Sequence, residues 1–173
     1  MKRWAVIAAL LAGVISIALW ALFFRGGSDD DAVRKAVQRT AAAVKVIPGE
    51  NAVMRATRVR SELIATIAPD VSINIPELTE LTRGRDALIG AAIAGAAAWE
   101  RADITVSFGN VQLDPGTAFV SATATLNATP HGGSSSVSDR DTRRCSFRLE
   151  KRDGNWRIYE LTVFPKEPPR EGT

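Results

Sequence analysis

The sequence predicts an α+β protein in which three helices pack on a mainly antiparallel sheet, preceded by one N-terminal transmembrane helix. Three observations carry this prediction. Residues 4–24 form an uncharged apolar run, segments with helical periodicity follow, and the second half of the chain holds long segments with strand periodicity. The sheet is organised around residues 144–164, which form two strand-like arms joined at Asp153-Gly154, a pair typical of tight turns.

The apolar run predicts a membrane anchor. About 21 residues with a rise of 1.5 Å each span roughly 31 Å, which is enough to cross the hydrocarbon core of a bilayer. Lys2 and Arg3 precede the run, so the positive-inside rule puts the N-terminus in the cytoplasm and the rest of the chain outside the cytoplasmic membrane. Aromatic residues at the two ends of the run suit the two membrane interfaces: Trp4, Trp20, Phe23 and Phe24.

A cleaved signal peptide is the alternative for this run, but it would have a shorter apolar core and small residues at its end. The run ends instead in Leu22-Phe23-Phe24-Arg25. We therefore expect residues 1–25 to be a retained anchor, 26–29 a linker, 30–165 the folded domain and 166–173 a disordered tail. Small residues occur at every fourth position of the anchor, a spacing that can form a contact between two membrane helices: Ala8, Ala12 and Ser16.

Charge and cysteine content exclude several classes of function. The net charge of +3 falls to +1 without Lys2 and Arg3, and acidic residues are interspersed among the basic residues between Arg140 and Arg152. These charges are therefore predicted to lie on a solvated strand face, and the sequence shows no clustered basic patch of the kind that binds nucleic acid. Cys145 is the sole cysteine, which excludes an intramolecular disulfide and a thiolate metal cluster. With no phosphate loop or metal-ligand spacing either, we expect no cofactor and no metal.

The first half of the domain has the periodicity of two helices, a short strand and a third helix. Apolar residues recur at spacings of three and four in the helices, and Pro48-Gly49 and Pro69-Asp70 are expected to end the first two. A second membrane span is the alternative for the third helix, but its uncharged stretch of about 15 residues is too short. The predicted bounds are 30–46 and 51–68 for the first two helices, 71–75 for the strand and 85–100 for the third helix.

Four strands are predicted to follow, at 104–113, 117–129 and in the two arms of 144–164. The first arm alternates, with Cys145, Phe147 and Leu149 on its buried face. The second arm carries apolar residues on both faces, which predicts a central strand covered on both sides: Trp156 and Ile158 on one face, Tyr159, Leu161 and Val163 on the other. Either face of 117–129 could point inward: Ala118, Val120, Ala122 and Ala124, or Phe119, Ser121, Thr123 and Thr125.

This order of elements resembles the nuclear transport factor 2-like superfamily, which includes polyketide cyclase-like and ketosteroid isomerase-like proteins. The resemblance rests on three stretches: Gly84-Arg85-Asp86-Ala87-Leu88, residues 118–122, and residues 147–158 with their strand–Asp-Gly-x-Trp-x-Ile pattern. It implies a cone-shaped domain in which the helices pack on a curved sheet. It also implies homodimers through the sheet, and it covers most of the chain beyond the anchor.

The enzymes of this superfamily carry a base and a hydrogen-bond donor inside the cone. By that resemblance the weak catalytic candidates here are Tyr159, the sole tyrosine, with Asp103 or Glu160. Each has a simpler structural interpretation, as a core tyrosine, a turn residue and a paired surface carboxylate. The candidates for a pocket wall are the large aromatic residues: Trp99, Phe119, Trp156 and Tyr159.

The sequence leaves two functions open. The first is a non-enzymatic module, anchored in the bilayer through residues 4–24, that holds its domain in the periplasm or extracytoplasmic space and binds itself or other envelope proteins. The alternative is a pocket protein that binds a small apolar ligand or catalyses an isomerase- or lyase-type step. The content of the cone discriminates between them, because catalysis needs an acidic or basic group in an enclosed pocket.

Overall fold

The computed structural model describes residues 28–76, 82–131 and 139–166. The predicted anchor and the residues beyond 166 lie outside this part. No helix within the described residues is long and apolar enough to span a bilayer. The helices are α1 (Asp29–Ala43), α2 (Ala52–Thr66) and α3 (Arg85–Ala96), and the strands are β1 (Ile67–Asn74), β2 (Thr82–Arg83), β3 (Trp99–Asp114), β4 (Thr117–Pro130), β5 (Asp139–Arg152) and β6 (Asn155–Val163).

The six strands form one mixed sheet in the order β2-β1-β6-β5-β4-β3. The β1–β6 pair is parallel, whereas the other neighbouring pairs are antiparallel. β6 therefore lies at the centre of the sheet, as its apolar composition predicted. The α+β class, the three helices and the four long strands are confirmed, and the short strand β2 was not predicted.

The turn between β5 and β6 forms as the sequence predicted. Asp153 and Gly154 both have positive φ, at 52° and 77°. Two consecutive positive φ values define a type I′ turn, which matches the right-handed twist of the two strands it joins. The β5–β6 hairpin thereby places Cys145, Phe147 and Leu149 on the buried face, as expected.

The start of α1 is fixed by its own cap and by the hairpin. Ser28 Oγ accepts a hydrogen bond from the backbone N–H of Asp31, which satisfies one of the free donors of the first turn. Asp29 accepts hydrogen bonds from Lys151 at 2.7 Å and from the Trp156 indole N–H at 3.1 Å. Asp29, predicted as the last residue of the linker, is the first residue of α1 and is held against the β5–β6 turn.

The boundary between α2 and β1 differs from the prediction. Pro69 was expected to stop a helix that reaches Ala68, but α2 ends at Thr66 and Pro69 lies inside β1. Proline disfavours the helical conformation of the residue before it, and Ile67 is already extended at φ −113° and ψ 136°. The β1–β6 ladder is irregular between Ile67 and Ser72, so the proline lies where the pairing is interrupted.

Strand β6 shows the most informative error of the sequence analysis. Arg148 pairs with Glu160 and Leu149 pairs with Ile158, so Tyr159 is the extra residue of a β-bulge. The bulge shifts the alternation by one residue. Leu161 and Val163 therefore share the inward face with Ile158, whereas strict alternation had put them on the opposite face. β6 therefore has one apolar face, which points inward on both sides of the bulge, and not the two apolar faces that were predicted.

Smaller differences concern the helices and β4. In α2 the side chains of Val59 and Leu63 are buried, whereas that of Ile64 is 40% exposed. α3 ends at Ala96, and Trp99 begins β3 instead of continuing the helix. In β4 the inward face is the one that begins with Ala118 and Val120. This answers the question that the sequence left open.

A candidate ligand cavity

An apolar cavity of about 190 Å³ lies between the helices and the concave face of the sheet. α1 supplies one wall, β3, β4, β5 and β6 supply the opposite wall, and α2, β1 and α3 close the side. The described residues that line it are Val37, Thr40, Ala41, Val44, Leu63, Ile67, Val71, Ile73, Leu88, Ile104, Val106, Ala124, Cys145, Phe147, Ile158, Leu161 and Val163. An apolar cavity of about 150 Å³ already binds benzene or xenon in another protein, so this one has room for a one- or two-ring molecule.

The cavity is hollow because small side chains meet across it. Ala41 of α1 and Ala124 of β4 project into the wall where larger residues would fill the space. Nearer the β5–β6 turn, α1 carries Val33, and Leu149 of β5 lies beside Ala118 of β4; both Val33 and Leu149 are fully buried and close the interior. The size of the side chain, on an unchanged inward/outward pattern, therefore decides where the domain is hollow.

The cavity wall offers little for acid–base chemistry. Among the described lining residues, Cys145 is the one with a titratable side chain. Burial raises the pKa of its thiol, so it stays protonated and weakly nucleophilic at neutral pH. The Thr40 hydroxyl donates to the Ala36 carbonyl of its own helix. The wall can hold an apolar molecule, but these residues provide no general base.

A polar pair lies at the edge of this wall. Across the sheet, Val106, Ala124 and Arg143 form one row, and Ile104, Leu126 and Asp141 form the next. Residues that face each other on paired strands point to the same side of a sheet, so Arg143 and Asp141 share the inward face with the lining residues. Arg143 Nε donates to Asp141 Oδ2 at 2.8 Å.

The C-terminal end of α1, which lines the cavity, is held by a partly buried ion pair. Arg58 of α2 donates to the carbonyls of Ala43 and Lys45, each at 2.8 Å, and thereby satisfies acceptors at the last residue of α1 and just beyond it. Glu50 holds Arg58 in place through both carboxylate oxygens and also contacts Arg55. These contacts, led by the hydrogen bond from Arg58, lower the pKa of Glu50.

The three catalytic candidates lie apart from the cavity. Tyr159 is half-buried in the β6 bulge and is not among the described lining residues. Asp103 pairs with Lys45 at 3.1 Å, and Glu160 pairs with Arg148 at 3.6 Å, both at the surface. The structure therefore does not bring Tyr159 together with either carboxylate at the cavity.

The other aromatic candidates also lie elsewhere. Trp99 packs against a second small cluster with Val46 and Ala102. Phe119 is 37% exposed on the convex face of β4, and Trp156 is buried at the β5–β6 turn. The cavity wall consists mainly of aliphatic residues and Phe147. Among the described residues, no group of acidic, histidine or cysteine side chains could hold a metal ion.

Asp141 and Arg143 were not predicted to be site residues. The charges between residues 140 and 152 were predicted to form a solvated strand face. A signal was available, because the alternation that puts Cys145 and Phe147 inside also puts residues 143 and 141 on that face. Two charged residues at inward positions of a strand end are unusual, because burial of a charge is costly unless it is paired.

Several solved structures share the fold of this domain. A conserved protein from Planctomyces limnophilus has a TM-score of 0.65 at 15% identity, covering 80% of this chain and 98% of the other. A ketosteroid isomerase-like protein from Erwinia carotovora has a TM-score of 0.60 at 17% identity, covering 83% and 100%. A protein of unknown function from Mycobacterium tuberculosis has a TM-score of 0.63 at 15% identity, covering 83% and 79%.

These identities are low enough that the three structures support the fold and nothing beyond it. A search of the curated proteins finds no match for this chain. The SnoaL-like domain family matches residues 51–162, which is more than half of the chain. The resemblance read from the sequence is therefore confirmed at the level of the family, and the chain belongs to the SnoaL-like domain family.

Proposed function

We propose that this chain is a ligand-binding protein whose domain takes up a small apolar molecule without transforming it. The single observation that carries the proposal is the cavity of about 190 Å³ with its aliphatic wall. Each CH₂ group transferred from water into such a wall contributes about 0.8 kcal/mol. The described wall holds one titratable group, a protonated thiol, so binding is better supported than isomerase or lyase chemistry.

A matched pair of variants tests this proposal. Ala124→Leu places a larger side chain in the cavity wall, whereas Thr123→Val changes its neighbour on the convex face without altering its size. Binding of naphthalene is measured on the full chain in mild detergent from the methyl resonances of Ile104 and Val163. We expect both resonances to shift with naphthalene in the wild type and in Thr123→Val but not in Ala124→Leu. Equal responses in all three proteins would overturn the proposal.

The second part of the proposal concerns location. Residues 4–24 would anchor the domain to the outer side of the cytoplasmic membrane, because the run is long enough to span it and Lys2 and Arg3 precede it. Reporter fusions at the two ends of the chain test the orientation, and alkaline extraction of membranes tests the anchor. Release of the chain by alkali, or a cytoplasmic C-terminal reporter, would contradict this part.

A protein-interaction role is the second candidate, and one surface favours it. On the convex face of the sheet, Phe119 and Phe164 are 37% and 39% exposed and flank a shallow groove with Ser121, Thr123 and Ser146. Exposed aromatic side chains among small polar ones are common in protein interfaces. A second copy or another envelope protein would cover them. Phe119→Ser should then lower the yield of crosslinked complexes in membranes, and an unchanged yield would exclude this surface.

A further inference from the structure

One carboxylate oxygen beside the cavity lacks a hydrogen-bond donor. Asp141 Oδ1 is buried and has no hydrogen-bond partner, although Oδ2 of the same group accepts from Arg143 Nε at 2.8 Å. The Lys166 ammonium approaches Oδ1 to 3.7 Å, which is too long for a hydrogen bond. A buried acceptor left without a donor costs about 1–3 kcal/mol, so this oxygen favours any ligand that brings a donor.

The position of Asp141 relates this oxygen to the cavity. Asp141 occupies the same inward row as Ile104, a lining residue, with Leu126 between them. Strands are spaced by about 4.8 Å, so the Asp141 and Ile104 backbones lie roughly 10 Å apart across the sheet. A two-ring molecule is about that long. A ligand packed on Ile104 and Ala124 would reach Asp141 by extending beyond the lining residues along this row, past Leu126.

The Asp141–Arg143 pair presents an acceptor and a cation side by side. A hydroxyl group suits this combination, because it donates one hydrogen bond and accepts others. A carboxylate ligand suits it less, since its charge would meet that of Asp141 in a partly buried place. A purely apolar ligand would leave Oδ1 without a donor.

We propose that the ligand of this cavity is a neutral apolar molecule that carries a hydroxyl group, which donates to Asp141 Oδ1. This inference rests on the proposed function and names the class of ligand for the same cavity. Asp141 acts here as a binding residue, with Arg143 as the positioning residue that holds its carboxylate.

Three probes of similar size test the inference on the full chain in mild detergent: 2-naphthol, 2-methylnaphthalene and 2-naphthoate. Affinities are read from the Ile104 and Val163 methyl resonances and referred to the aqueous concentration of free probe after dialysis. A hydrogen bond to a charged group corresponds to about tenfold or more in affinity. We therefore expect 2-naphthol to bind about tenfold or more tightly than 2-methylnaphthalene, with 2-naphthoate the weakest of the three.

Two variants test whether the preference for 2-naphthol over 2-methylnaphthalene depends on Asp141. Asp141→Leu keeps the approximate size of the side chain and should bring the ratio between the first two probes close to one, whereas Thr142→Val on the convex face should retain it. The wild-type ratio decides the matter if Asp141→Leu fails to fold. A ratio near one in the wild type, a preference that survives Asp141→Leu, or tightest binding of 2-naphthoate would each overturn the inference. No shift with any probe would instead contradict the proposed function itself.

Discussion

The two ends of the domain are built from the same strands and helices but differ in how they are filled. At the narrow end, beside the β5–β6 turn, Val33, Val120 and Leu149 are fully buried and pack against Trp156. At the open end, beside the C-terminus of α1, Ala41 and Ala124 face the cavity. The first end is a packed core, and the second is a container of about 190 Å³.

The comparison separates two requirements that a sequence pattern does not distinguish. Alternation decides which side chains point inward, and it is similar at both ends. Side-chain volume decides whether the inward space is filled, and it differs. A hollow core lacks some dispersion contacts and is therefore less stable than a filled one. We infer that a protein keeps such a hollow where the space has a use.

Truncation of a leucine at each end should show the largest difference. Leu149→Ala removes a fully buried side chain from the narrow end and should lower the free energy of unfolding by about 2–5 kcal/mol. Leu161→Ala enlarges a cavity that already exists and should cost less, about 1–2 kcal/mol. Urea unfolding of the full chain in mild detergent measures both values. Equal losses would mean that the open end is packed as well as the narrow one.

Enlargement of an alanine at each end should show the opposite order of tolerance. Ala118→Leu overpacks the narrow end, where Ala118 is 4% exposed beside Leu149, and should cost about 1–3 kcal/mol. Ala124→Leu enters free space and should change the free energy of unfolding by less than about 1 kcal/mol. The same urea titration applies. A loss for Ala124→Leu as large as for Ala118→Leu would contradict a hollow open end.

Removal of the charge on Glu50 should loosen the open end alone. Glu50→Gln weakens the hydrogen bonds that hold Arg58 against the end of α1 and should cost about 1–2 kcal/mol at pH 7. Because the folded state lowers the pKa of Glu50, its stabilisation is present above about pH 4.5 and is lost as the pH falls through the folded-state value. Acid titration of the variant should therefore show a smaller loss of stability. An identical acid profile in both proteins would exclude this role.

The smallest effect is expected from Asp29 at the narrow end. Asp29→Asn weakens the hydrogen bonds from Lys151 and from the Trp156 indole, which lower the pKa of Asp29. The Trp156 indole N–H resonance should move upfield, and the wild-type resonance should move the same way as the pH falls below 4. The cavity methyl resonance of Val163 should stay in place in both experiments. Movement of Val163 would show that the two ends are coupled.

The sequence predicted the fold because the fold depends on local signals. The Asp153-Gly154 turn and the alternation of Cys145, Phe147 and Leu149 each act over a few residues. The site was predicted poorly because it depends on a bulge. Insertion of Tyr159 as an extra residue moves Leu161 and Val163 to the cavity face, and period-two alternation has no means to anticipate it.

The choice of large aromatic residues as the cavity wall failed for a related reason. Large side chains fill space, so a hollow is marked by small residues such as Ala41 and Ala124 at inward positions. Alanine is also common at inward positions of well-packed helices and strands. An inward alanine therefore indicates a cavity only when the residue that faces it across the interior is known to be small as well. The charged pair Asp141–Arg143 was readable from alternation but was assigned to the surface.

The response of methyl resonances to xenon tests the central claim most directly, because xenon enters dry apolar cavities of this size without needing a polar contact. In the full chain under xenon pressure, we expect the resonances of Ile104, Ala124 and Val163 to shift and those of Val33 and Leu149 to remain in place. Shifts at both ends, or no shift at the open end, would contradict the account of one packed end and one hollow end.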